Sequence, residues 1–129
     1  MTLPRVALAA LLGAALCAAA REKHPPVFAC NAKAIPAEER PRHSELTRQL
    51  MRSVRDRREH SDGYSFQLDS ETIRFGQLAE WITRERLCCP FLTFQLTASG
   101  DRPGWMLKLT GPRGVKQLLQ AEFGSQNTR

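Results

Sequence analysis

Nowhere in this 129-residue chain do two cysteines stand at Cys-x-x-Cys spacing, and none of its three histidines falls at ligand spacing from a cysteine. The usual paired layouts for a structural zinc are therefore missing. Internal repeats and low-complexity tracts are absent too, which sets aside stacked arrays and biased linkers. The longest uncharged apolar run, Val6 to Ala20, has about fifteen residues, short of the roughly 20 that cross a bilayer.

That run has another use. A start carrying one positive charge, Arg5, an apolar stretch and the small residues Ala18-Ala19-Ala20 form the layout of a secretory signal peptide. Residues 1–20 are expected to be cleaved, with export to the periplasm or beyond and no stable membrane insertion afterwards. Cys17 does not suit lipid attachment, because Leu16 fills the position where such signals want Gly or Ala. Residues 21–26, ending in Pro25-Pro26, read as a flexible lead-in. The 109 residues left after Ala20 suffice for one core, predicted over 27–123, with 124–129 as a frayed tail.

Without the leader, 18 Lys and Arg face 13 acidic residues, a net charge of +5. Much of the excess is Arg48, Arg52, Arg55, Arg57 and Arg58, which helical spacing spreads around a solvated surface. No nucleic-acid partner is expected, since the basic residues form no stripe and an exported chain rarely meets a genome. An anionic envelope surface is the weak partner that such charge allows.

Periodicity predicts β-α-β-α-β-β-α. "VFACN" reads as a short strand, and a helix from about Glu38 to Arg58 follows, with Leu46, Leu50 and Val54 inward. "YSFQLD" alternates like a half-buried strand. A second helix, about Thr72 to Cys88, carries Phe75, Leu78, Trp81 and Ile82 and stops before Pro90. "FLTFQLTAS" and "WMLKLT" form a hairpin, and "VKQLLQAEF" a last short helix. The expected fold is α+β, with helices packed on a small mixed four-stranded sheet.

Three cysteines survive cleavage, Cys30, Cys88 and Cys89, an odd number for an oxidising compartment. They admit several roles: buried packing, a strained bond between neighbours, a staple from Cys30 to Cys88 or Cys89, or three soft thiolate ligands. The chain must bend between Cys88 and Cys89, which lets both sulfurs meet one ion. Arg84 and Arg86 would favour thiolates there, against the negative end of the helix dipole. Glu85, three and four residues upstream, reads first as a solvated partner of an arginine and second as a hard ligand. His24, His43 and His60 read as surface residues. Were the first two strands parallel, Cys30 would lie a strand length from the pair, roughly 17 Å. The seven-residue connector Asn31 to Ala37, reaching roughly 23 Å, could remove that separation.

"FACN", "ERLCCPFLTFQL" and "LKLTGPRGVKQLL" together resemble a group of small, usually exported bacterial proteins with the pattern E-R-x-C-C-P-F-x-x-F-x-L followed by G-P-x-G-V-K. A shorter version is similar to a C-terminal extension of some mercury-sensor-type regulators. The resemblance runs from about Val27 to Phe123 and implies that Cys30, Cys88, Cys89, Pro90 and Phe91 stand at characteristic positions. It names no established activity, and no DNA-binding region accompanies it here.

The expectation is an exported thiol protein binding a soft metal or metalloid, such as Cu(I), Zn(II) or Hg(II), through Cys88, Cys89 and Cys30. Glu85, Arg84, Arg86 and Phe91 would support the site, and the protein would serve as a scavenger, carrier or sensor accessory. The alternatives are a non-catalytic structural or interaction module with a Cys30–Cys88 or Cys30–Cys89 disulfide, and a thiol enzyme for redox or carbon–metal cleavage, for which no local histidine activates a nucleophile.

Overall fold

The computed structural model describes residues 28–124. The expected leader, the lead-in and residues 125–129 of the expected tail lie outside them. Two 3-10 turns, Ala32–Ala34 and Ala37–Glu39, lead into helix α1, Arg40–Ser53. Strands β1, Val54–His60, and β2, Gly63–Leu68, come next, then helix α2, Phe75–Cys88. Strands β3, Thr93–Ala98, and β4, Trp105–Thr110, precede helix α3, Val115–Phe123. The sheet order is β1-β2-β4-β3, with every neighbouring pair antiparallel.

The α+β class is as expected, but the order and the sheet differ. Residues 28–31 form no strand, and the sheet is antiparallel rather than mixed. The first helix ends at Ser53, not Arg58. Ser53 is buried, its hydroxyl bonds back to the Leu50 carbonyl at 2.7 Å, and Val54 turns extended. Residues 54–60 then pair with β2 across a two-residue turn, Ser61-Asp62. Pairing overrides the poor β-propensity of this Arg- and Glu-rich segment. It is an edge strand, where charge discourages pairing with another chain.

A bulge between Val54 and Asp56 shifts the strand register. Arg57 and Glu59 therefore share the sheet face of Phe66 and Tyr64, their cross-strand partners. Arg57 covers the Tyr64 ring at 5.1 Å, and Glu59 pairs with Lys116 of α3. Gly63 is dictated by crowding: a Cβ there would sit 1.9 Å from the Leu109 carbonyl oxygen of β4.

One sheet face carries Tyr64, Phe66, Leu68, Leu107 and Leu109, all buried against Leu46 and Leu50 of α1, Leu78 and Trp81 of α2, and Leu119 of α3. Ser65, Gln67, Lys108 and Thr97 fall on the other parity of the same strands. This makes a two-layer domain with one main core. No helix among the described residues is long and apolar enough to cross a membrane. Where α1 passes α2, Arg42 grips Glu80 with two nitrogens at 2.9 and 2.8 Å, and Arg84 joins Glu39 at 2.7 Å and Glu80 at 2.9 Å. Both arginines hold the Glu80 carboxyl down to about 2, the Arg42 hydrogen bond acting most strongly.

Candidate functional site

Helix α2 ends as proline chemistry requires. Cys88 is its last residue, and the Cys89 N–H still donates to the Glu85 carbonyl at 2.8 Å while its own backbone leaves helical geometry. The Leu92 N–H returns to the Cys89 carbonyl at 3.1 Å and closes the turn. Phe91 packs against this corner with its ring 4.7 Å from that of Phe28, while Phe94 sits edge-on to Trp81 at 6.1 Å.

Cys30 reaches the corner without a strand. The Asn31 N–H donates to the Cys88 carbonyl at 2.9 Å, and the Asn31 side chain accepts from the Lys33 N–H. The short turns that follow bury Ile35 beside Cys88 and Cys89 in a second, smaller core. Cys30 and Cys89 form a disulfide with Cα atoms 4.8 Å apart. The feared strand-length separation does not arise, because the parallel pairing behind it is absent. Cys88 is buried and free, with its sulfur 3.7 Å from that of Cys89.

Glu85 is not the solvated residue expected. It is 8 % exposed and lies among the sulfurs. The Cys88 thiol donates toward its carbonyl at 3.3 Å and its Oε2 at 3.6 Å. Cys89 Sγ lies 3.2 Å from Oε1; bonded to Cys30 it has no proton to give, so this contact becomes a hydrogen bond only on reduction. One ligand atom each from Cys30, Glu85, Cys88 and Cys89 can be chosen so that all lie within 4.8 Å of one another. This cysteine–glutamate group could hold a metal ion.

His43, expected at the surface, is also drawn in. Its Nε2 donates to Glu85 Oε2 at 2.7 Å, leaving Nδ1 buried without a partner. The ring stacks beside Trp81, whose indole N–H donates to Thr47, and the Thr47 hydroxyl donates to the His43 carbonyl. The sequence did carry a signal for both residues. His43 continues the inward stripe of Leu46 and Leu50, and Glu85 continues that of Leu78 and Trp81.

The electrostatics also depart from expectation. Arg84 turns to Glu39 and Glu80, and Arg86 is exposed with no ion-pair partner among the described residues. Neither lowers a thiol. Burial pushes the Cys88 thiol up to about 12, with the Glu85 charge and hydrogen bond next in weight. An attacking nucleophile needs the opposite, so the geometry gives no support to a thiol enzyme. A cation would reverse the balance, since it stabilises thiolate and carboxylate together.

No family model, no curated protein and no solved structure matches the chain. The chemistry of the corner has to speak for itself. Beside it opens a cleft of about 280 Å³, bordered by Cys30, Glu85, Cys88, His43 and, from α3, Glu122. Partial burial, and then the Glu85 charge, raise the Glu122 carboxyl. Sequence reasoning missed Glu122, which lies one position before the inward-facing Phe123.

Proposed function

We propose that this is an exported protein that binds a soft metal or metalloid ion through Cys30, Cys88 and Cys89 once the Cys30–Cys89 bond is reduced, with Glu85 as a fourth ligand. Acting in this way, it would be a scavenger, carrier or sensor accessory. A single observation carries the proposal: four donor atoms, brought from segments more than fifty residues apart, within 4.8 Å of one another in a largely buried corner. Ligands sharing an ion at bonds of about 2.3 Å stand about 4 Å apart, so side-chain rotation closes the gap. Three sulfurs and one oxygen suit Cu(I), Zn(II) or Hg(II) better than a hard cation. The buried carboxylate supports the same conclusion, because a carboxylate beside a buried thiol costs stability that a bound cation recovers. The leader pattern and the resemblance to exported cysteine proteins fit this role.

Mass spectrometry of the reduced native protein with and without each of the three ions tests the proposal, with Cys88→Ser and Cys89→Ser as comparisons. One ion retained by the parent and lost from both variants is expected. Equal uptake by all three forms would end the proposal.

The disulfide favours a second role, a non-catalytic structural or interaction module that the bond staples. Counting thiols in denaturant without reductant separates the states. One free thiol means that the staple is the resident form, and three mean that the sulfurs stand ready as ligands.

A further inference from the structure

The cleft beside the cysteines is larger than an ion requires. A cavity of about 150 Å³ with apolar walls already accepts a benzene ring, and this one measures about 280 Å³. Cys30 and Cys88 border one part of it, while Met51, Trp81 and Phe123 supply apolar wall. A bare ion bonded at about 2.3 Å would lie within the donor cluster and leave those side chains facing an unfilled space.

We infer that the ligand is a soft metal or metalloid centre carrying one apolar organic group. The centre binds the Cys30 and Cys88 sulfurs, and the group sits against Met51, Trp81 and Phe123. This rests on the metal-binding function proposed above and narrows its ligand class. Cys89 does not border the cleft, so the sulfur pair facing it is Cys30 and Cys88, within 4.8 Å of each other. Two sulfurs on a trivalent metalloid leave its third position for carbon.

The binding step balances for an arsine oxide, R–As=O. An external dithiol first converts the Cys30–Cys89 bond into two thiols and is itself oxidised to a disulfide. Two S–As bonds then form as the As=O bond breaks, and the two thiol protons leave with the oxygen as one water. The carbon–arsenic bond is untouched and arsenic stays trivalent.

The test uses the phosphine-reduced protein, titrated by calorimetry with arsenite, methylarsine oxide and phenylarsine oxide. Dithiothreitol titrated alongside supplies the intrinsic preference of two thiols for phenyl over methyl. The protein should exceed that preference at least tenfold. Ala32→Phe, at an exposed residue on the cleft border, should bring it back to the dithiothreitol value. A phenyl preference equal to that of dithiothreitol, or one unchanged in Ala32→Phe, overturns the organic-group inference while arsenite binding keeps the metal site. Failure of all three arsenicals to bind also overturns it, and uptake of Cu(I), Zn(II) or Hg(II) by the reduced protein then shows whether the metal site itself stands.

Discussion

Reducing the Cys30–Cys89 bond should cost this domain a large part of its stability. The two residues are 59 apart in sequence, so the bond closes a ring that holds α1, β1, β2 and α2. Chain-entropy reasoning gives about 4 kcal/mol for a ring of this length. Whole-domain stabilities commonly run about 5–15 kcal/mol, so reduction removes a substantial fraction. With a urea slope of about 1–2 kcal/mol/M, the unfolding midpoint should fall by roughly 2–4 M when the reductant is added. Paired urea curves, followed by tryptophan fluorescence, measure this directly. Cys88→Ser should show the same fall, because Cys88 lies outside the bond, whereas Cys30→Ser should start low and ignore reductant. A fall under about 0.5 M in the parent protein, or three free thiols without reductant, would refute the reasoning.

Three further outcomes follow from particular contacts. Alkylation of Cys88 in the oxidised protein should accelerate about tenfold per pH unit between 8 and 11, because its thiol is pushed up to about 12. Glu85→Gln should shift that profile to lower pH while burial keeps it above that of an exposed cysteine, as a rate series with iodoacetamide would show. Glu80, held down to about 2, adds stability that is fully present above the ordinary Glu value of about 4.3 and is lost as pH falls toward 2. Urea midpoints of Glu80→Gln should therefore fall less steeply than those of the parent over that window. Gly63→Ala should destabilise by more than about 2 kcal/mol, since the added carbon meets the β4 backbone rather than a movable side chain; a midpoint within 0.5 M of the parent would contradict the crowding.

Much of the second half of the fold is legible from alternation alone. Tyr64, Phe66 and Leu68, then Trp105, Leu107 and Leu109, are spaced two apart and line the core as that spacing implies. Proline placed the end of α2 to the residue. The first half was harder, because "VRDRREH" contains one aliphatic residue and reads as a polar helix face. Its strand identity comes from the partner across the turn, and Ser61-Asp62 before Gly63 was the only local hint. At the candidate site, the adjacent cysteines announced themselves. Glu85 and His43 were hidden by an assumption that polar residues face water, although both occupied inward helical positions. The Cys30 contact depended on a connector whose path no periodicity records.

The turn Ser61-Asp62 is exposed and lies inside the ring that Cys30 and Cys89 close. Covalent integrity of the molecule therefore does not depend on an unbroken backbone at that point. A chain cut between β1 and β2 stays one molecule, with its two pieces joined through sulfur and the first supplying the edge strand of the sheet. Reduction then releases them as separate fragments, which makes the same bond both a fastening and a place of disassembly.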